Sequence, residues 1–583
     1  MPAWLGVLLA IGAGLVAFAQ FRGFDVMDGA LYFTLYQDPV DNPDTHTRFH
    51  LLARPLWLLC QQDIVAFRFA TLLGFALVAW LFSRVLRREL LPSFARWVIV
   101  VPILVATFAG LSWVPLALTY NSLAALFTLL ALSVLLTNAG SRSAQSGWRR
   151  SSFAWTSMAV LSVGLFLVKP PSALAVAAAA AVLASANPRF SSGTRKVILG
   201  CGLACALVVS AAVLIIPRLS GYDPKRLHYV AGLAISPAWM AANLARYWTE
   251  IGAMLPALWV DIFWPIGPVA LALIALSLGA KNPSALKGRL VSFSLALILM
   301  SILGATGFRG LWDSSFSSVV AGNAARFYLL AWSSLLPIWL VSIWTCAGAA
   351  RPTLLRLAWV AVLFLLPLIS SLGSTNAMYV SALHETVLWV AGLLIVADNI
   401  GELLSVRWFR TAVACLLALG AAGHLFSGLV LRPYMYQPSL WKQTDAVDIG
   451  YPATRLKVDP ALADFIRYVR STLERDGFKP GDDVFGFFNL PGIIFAIGAK
   501  EPGAPWYFGT WYSHDDTDGG KLRRVPLERR RRAWILTQAD VTGFRKQFLE
   551  SGIDFPDGYR KIGSTRNPTT GLEIGIWKPI DRH

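Results

Sequence analysis

Residues 21–55 read FRGFDVMDGALYFTLYQDPVDNPDTHTRFHLLARP. Five aspartates (Asp25, Asp28, Asp38, Asp41, Asp44), two histidines (His46, His50) and three arginines (Arg22, Arg48, Arg54) crowd into this stretch, although the whole chain holds only 33 acidic residues. Apolar runs at 3–20 and 64–82 bound it, each of the length that crosses a bilayer. The segment therefore reads as a polar loop between two spanning helices. Its centre, MDGALYFTLY, sets Leu31, Leu35 and Met27 or Phe33 at helical spacing and puts Asp28 and Tyr32 four apart on one face. That pattern predicts a short amphipathic helix at the membrane surface. Such a helix would hold a carboxylate where a lipid-borne substrate meets a soluble one.

The rest of the composition agrees. Of 583 residues, 56% are hydrophobic and 14% charged, with a mean hydropathy of +0.56. Recurrent apolar runs of about 20 residues make a polytopic α-helical membrane protein. The expected segments are 3–20, 64–82, 96–114, 121–137, 153–168, 172–186, 197–216, 256–279, 290–306, 327–345, 356–373, 385–398 and 411–431, about 13 transmembrane helices. The formal net charge of +18 does not point to nucleic acid. Basic residues gather in the links 83–90, 141–150, 187–196, 281–289, 351–356 and 406–410, all on one side, which the Lys/Arg rule makes cytoplasmic. The N-terminus is then cytoplasmic, its first helix retained, and the loop 21–55 faces outward. The reading is a bacterial-type inner (plasma) membrane protein, with residues 432–583 periplasmic or extracellular. Cys60, Cys201, Cys205, Cys346 and Cys415 show neither disulfide nor metal spacing.

The composition changes after Leu431. Asp459-Pro460 opens a capped helix that ends at Gly477. DDVFGFFNL, AWILTQ (533–538), YRKIGST and EIGIWKP read as strands, and 540–552 as a further helix. The domains expected are 1–431, transmembrane with the first outer loop 21–55, and 432–583, a small α/β exoplasmic domain.

Asp28 is the first candidate for chemistry, because a carboxylate beside an apolar surface is suited to general-base work. Asp25 competes with it, and Asp41 and Asp44 in DNPD have turn character. The outer-side cations are Arg48, Arg54, Lys169, Lys225, Arg226, Arg309 and Arg326. Lys169 stands out because it lies between two apolar runs, where an unpaired cation is costly. Arg68 reads as a partner of Asp63 or a cap of its helix end. His46 and His50, four apart, and His514-Asp515-Asp516-Thr517-Asp518 have donor types for a divalent metal, but the sequence requires no cofactor. The run Lys521 to Arg532 reads either as a contact for anionic headgroups or an acidic acceptor, or as a solvated face.

These features occur in a particular order. Asp28-x-Ala30-Leu31-Tyr32 in the first outer loop precedes Arg54-Pro55-Leu56-Trp57 as the entry to the second spanning helix, the run Ala66–Phe69, a basic inner link, and Val168-Lys169-Pro170-Pro171. The order resembles the GT-C superfamily of polyprenyl-phosphate-sugar-dependent glycosyltransferases, in the branch of protein mannosyltransferases and the lipid A aminoarabinose transferase. The resemblance implies a GT-C-like membrane fold and inverting transfer of a sugar from a polyprenyl-phosphate-linked donor to an exoplasmic glycan, lipid or protein. It makes Asp28 the general base, with Asp25 as substitute, since Gly29 stands where many relatives have Glu. Lys169, Arg54, Arg309, Arg226 and Arg326 would receive the leaving phosphate, and Tyr32, His50, Tyr120 and Asn121 would position substrate. Tyr120 and Asn121 occupy a place where relatives carry a second acid. The alternatives are a lipid-linked glycan transporter or flippase, which calls for ionisable groups near mid-membrane, and a surface-polysaccharide ligase or polymerase.

Overall fold

The computed structural model describes residues 3–26, 28–39, 41–42, 47–112, 116–140, 148–186, 241–242, 245–249, 252, 317–345, 352–371, 378–403, 405–434, 438–487, 490–503, 522–538 and 545–580. Ten of the expected apolar segments coincide with helices, and those at 197–216, 256–279 and 290–306 lie outside the described residues. Among the described residues, five helices are long and apolar enough to cross a membrane: Ile64–Glu89, Tyr120–Thr137, Leu354–Ser371, Val380–Leu403 and Trp408–Leu431. The chain is thus a multi-pass membrane protein, and it folds as two compact units.

One unit holds Gly74–Trp113 and Tyr120–Gly428. Its described helices include α5 (Arg96–Leu111), α6 (Tyr120–Gly140), α7 (Trp148–Val168), α8 (Pro170–Ala186), α9 (Ser317–Thr345), α10 (Leu354–Ser371), α11 (Met378–Ala382), α12 (Thr386–Leu403) and α13 (Arg407–Phe426). A single 3₁₀ turn, Leu383–Glu385, joins α11 to α12. Helix α12 is apolar all round and buried, packing on α5, α9, α10 and α13. A helix with no polar face belongs at the centre of a bundle. Near its end Asp398 is fully buried, accepting from Ser93 Oγ at 2.7 Å and pairing with Arg356 and Arg410, each at 3.2 Å. Two arginines of the basic links 351–356 and 406–410 are thus ion-pair partners.

The other unit holds Pro2–Leu73, Val114–Thr119 and Leu429–His583. It includes α1 (Ala3–Gln20), α2 (Asp28–Gln37), α3 (Phe49–Leu59) and the first turns of α4 (Ile64–Glu89). Strands β1 (Asp445–Ile449) and β2 (Thr454–Val458) form a hairpin that the sequence reading lacks. Strands β3 (Val484–Phe487), β4 (Trp534–Thr537), β5 (Tyr559–Arg566) and β6 (Glu573–Pro579) form a sheet ordered β3-β4-β6-β5, with β3 and β4 parallel. Helix α14 (Pro460–Arg475) starts as expected, with Asp459 Oδ2 accepting from Ala461 N at 3.1 Å and Leu462 N at 3.4 Å, and Gly477 follows at φ +101°. Phe485, Phe487, Ile535, Phe548 and Phe555 fill the sheet's core.

The composition break near Leu431 falls beside one division between the compact units, at Gly428/Leu429, and the first loop groups with the C-terminal region. Gly23 N donates to Lys457 O (2.9 Å) and Lys457 N to Phe21 O (3.0 Å), which lays the start of the loop along β2. Helix α2 packs on the short helix α15 (Pro491–Ala496). A Cβ at Gly492 would lie 1.8 Å from the Val26 carbonyl oxygen, so only glycine permits that approach.

Two expectations are corrected here. Helix α2 is not an amphipathic surface helix, because Gly29 through Tyr36 are buried on every side. The cause is aromatic packing: Phe33 lies 5.2 Å from Trp57 and 5.6 Å from Phe495, and Trp57 lies 5.3 Å from Phe67. The stretch Arg54–Trp57 does not open the second spanning helix. It lies inside the separate helix α3, which ends at Leu59 before a turn into α4.

Candidate functional site

The loop contributes its carboxylates through the start of α2. Asp25 is buried, its Oδ2 accepting from Gly29 N at 2.7 Å while its carbonyl accepts from Ala30 N at 3.1 Å. It acts as a cap, satisfying amides that a helix start leaves open. Asp28 is the first residue of α2, and its side chain is not described. Tyr32 and His50, both substrate-positioning candidates, are buried beside the same ring: Tyr32 packs edge-on to Phe49 with centroids 5.3 Å apart, and His50 does so at 5.8 Å. Arg54 on α3 is half-buried, and its Nε has no hydrogen-bond partner among the described residues.

Burial, reinforced by the charges of Arg48 and Arg54, holds the His50 imidazole down at about 4. His50 is neutral at physiological pH and cannot serve as a cation for phosphate. Unfolded, the ring takes a proton near 6.5 that the folded site refuses until about 4. Stability from this group is therefore complete above pH 6.5 and is lost as pH falls from 6.5 toward 4, by up to roughly 3 kcal/mol. The His50→Gln variant should show a flatter loss of melting temperature across that window. Equal slopes for the two proteins would refute the assignment.

The loop is pinned at two further points. Arg68, 4% exposed, donates to Gln20 O (3.0 Å), Arg22 O (3.1 Å), Gly23 O (2.9 Å) and Leu116 O (3.1 Å). It is neither a partner of Asp63 in an ion pair nor a simple helix cap. Asp63 instead accepts from Ala66 N at 2.7 Å and Thr454 Oγ1 at 3.1 Å. At the other end Asp41 is more than a turn former. Its two oxygens receive Arg529 at 3.2 and 3.0 Å, and Asp483 takes the same guanidinium at 2.7 Å twice. These hydrogen bonds, Asp483's first, raise Arg529 further above the ordinary arginine range. Beside this tie an open cleft of about 500 Å³ is lined by Asp41, Lys500, Glu528, Arg529, Arg532 and Trp534. Arg529 came from a basic run that reads equally as a solvated face; its partner Asp41 is 488 residues away.

In the helical unit Lys169 fills the single residue between α7 and α8 and is 6% exposed. Its Nζ donates to Asn121 Oδ1 at 2.8 Å, which brings together two of the residues chosen from sequence. Asn121 and Tyr120 form the first turn of α6. Glu385, on the turn before α12, is the anion whose charge acts on Lys169. It is 4% exposed; Oε1 accepts from Thr128 Oγ1 at 3.4 Å, and Oε2 has no hydrogen-bond partner among the described residues. Helix α5 comes close to this turn because Gly110 has no Cβ, which would sit 2.9 Å from Leu383 O. His384 Nδ1 lies 3.4 Å from Gly110 O.

The sequence reading gives Glu385 no role, since it starts an apolar segment at that residue. Its signal was an acid in the apolar run VSALHETVLWV. Arg326 lies on α9, and its side chain is not described. Lys225, Arg226, Arg309, His46, Asp44 and 514–518 lie outside the described residues.

No protein-family model matches the chain, and no curated protein matches it. Solved structures similar to it are those of the oligosaccharyltransferase AglB from Archaeoglobus fulgidus. One, tethered to an acceptor peptide, is 12% identical with a TM-score of 0.42, covering 100% of this chain and 74% of that one. Another, in complex with an inhibitory peptide and a dolichol-phosphate, is 13% identical with a TM-score of 0.40, covering 98% and 74%. At such scores no residue correspondence follows, and the functional reading stands on the chain's own residues.

Proposed function

We propose that this protein is a membrane glycosyltransferase of the GT-C type, moving a sugar from a polyprenyl-phosphate carrier to a hydroxyl of an exoplasmic glycan, lipid or protein. The acceptor oxygen bonds to the anomeric carbon with inversion, and its proton passes to the Asp28 carboxylate. The bond from that carbon to the phosphate oxygen breaks, and the lipid phosphate leaves. Lys169, steadied by Asn121, receives the leaving charge, and Arg54, Arg226, Arg309 and Arg326 are the further cations available to it. Tyr32, His50 and Tyr120 act by shape and hydrogen bonding, because His50 carries no charge at neutral pH. The cleft beside Arg529 offers donors and acceptors of both signs to a hydroxyl-rich acceptor.

The observation that carries this reading is the burial of Lys169. A cation in an apolar bundle is retained where it binds an anion, and an amine with two donors to spare fits a phosphate. The test is reconstitution in proteoliposomes with radiolabelled polyprenyl-phosphate sugars and envelope extract as acceptor. Loss of a general base lowers transfer on the order of 100- to 10,000-fold, so Asp28→Asn should fall within that range while still binding donor. Transfer at the wild-type rate would remove Asp28 from the role. Lys169→Met should lose donor binding.

A second reading has one observation in its favour. The interruption of the apolar run at Leu383–Glu385, with a buried acid in it, is a feature of transport proteins. Movement of a lipid-linked glycan across the vesicle bilayer, without transfer to acceptor, would select it.

A further inference from the structure

Lys169 and Glu385 are each more than nine-tenths buried in the same bundle, and they act on one another by charge. Their side chains do not form an ion pair within 4 Å. Lys169 instead donates to Asn121, and Glu385 keeps Oε2 without a partner among the described residues. A well-packed salt bridge would close that gap, because its attraction must offset the cost of stripping water from both ions. This pair leaves it open.

Among the described residues, the one charge that acts on Glu385 is that of Lys169. Helix α5 presents the Gly110 carbonyl, α6 presents Asn121 and Thr128, and α10 presents Ser370, a hydroxyl neighbour of the Glu385 carboxylate. The titratable neighbours are His384 on the turn itself and Tyr328 on α9, whose hydroxyl lies 3.2 Å from His424 Nδ1 on α13. Glu385 is thus the anion that balances Lys169 while no ligand is bound.

An arriving phosphate changes the balance. One lysine then faces two anions in a medium of low dielectric, where each uncompensated charge is expensive. The cheapest neutral arrangement keeps the phosphate on Lys169 and puts a proton on Glu385. We infer that Glu385 is a resident counter-ion exchanged for the donor phosphate, so that binding a polyprenyl phosphodiester takes up one proton. This rests on the reading of Lys169 as a phosphate ligand. Glu385 is then a positioning residue: it keeps the empty site neutral and releases Lys169 to the donor.

The probe is citronellyl methyl phosphate, a phosphodiester whose single charge does not titrate between pH 6 and 8. Dimethyl phosphate is the arm without a lipid tail. Binding to the purified full-length protein is followed by calorimetry in two buffers of different ionisation enthalpy, which counts protons. Wild type should take up about one proton per lipid phosphodiester, with affinity falling about tenfold for each pH unit above the onset. The isosteric Glu385→Gln should bind with no proton taken up, with an affinity independent of pH and tighter than wild type at pH 8. Wild type alone decides the matter if that variant is unstable, because binding without proton uptake overturns the inference and leaves the phosphate site standing. Lack of any binding by the lipid phosphodiester overturns both. Equal binding of dimethyl phosphate would assign the exchange to a free phosphate and overturn the lipid donor as its cause.

Discussion

Asp398→Asn should destabilise the helical unit by about 3–5 kcal/mol, the cost of leaving buried charges without their partner. Asp398 is fully enclosed and serves four elements: Ser93 before α5, Arg356 on α10, Arg410 on α13, and α12 itself. Arg356 also donates to Leu90 O at 2.9 Å and Asn399 Oδ1 at 2.7 Å, so its guanidinium cannot swing away without breaking further bonds. Glu402 also pairs with Arg356, at 3.1 Å, but it is 45% exposed and a weak substitute. Thermal melting in detergent measures the effect. The triple change Asp398→Leu, Arg356→Met, Arg410→Met should recover much of the loss, since removing every partner costs less than orphaning one. A single variant that melts like wild type would show that the network contributes little.

Arg68→Lys should cost about 3 kcal/mol or more and expose the first loop to protease. The guanidinium spreads its donors over four carbonyls, from Gln20, Arg22, Gly23 and Leu116. A lysine ammonium has three donors on one atom and cannot reach all four, so buried carbonyls lose their partners. Two of these carbonyls begin the loop that carries Asp28. Cleavage between residues 21 and 55 should therefore rise together with the loss of sugar transfer, and limited proteolysis read by mass spectrometry checks the first. A variant as resistant as wild type would mean that the packing of Phe33, Trp57 and Phe495 alone holds the loop.

Much of the architecture was legible because it depends on short-range properties. Apolar length marks spanning helices, and Asp459-Pro460 marks a helix start because the cap and the helix are neighbours in the chain. The strands at 484–487, 534–537, 559–566 and 573–579 were found by their alternation and their β-branched and aromatic content. The β1–β2 hairpin escaped notice because DAVDI and TRLKV are short and polar on one face. The surface helix expected at 28–37 failed for a different reason. Its own residues do not reveal that Phe495, far along the chain, stacks on Phe33.

The candidate site divides along the same line. Lys169 and Asn121 were singled out separately, one as a costly cation and the other for its place before a helix, and the fold joined them. Asp25 stands beside Asp28 as the second base candidate, and the fold adds that its carboxylate accepts from Gly29 N. By itself the sequence determined that this chain crosses the bilayer many times, carries an acid-rich loop after its first helix, and ends in a small α/β region. Only the tertiary structure decided that helix α2 is buried, that Arg68 and Arg529 pin the loop around it, and that Glu385 is enclosed in the same bundle as Lys169. Composition and periodicity act over a few residues, whereas the partner of a buried charge is chosen by packing between helices hundreds of residues apart.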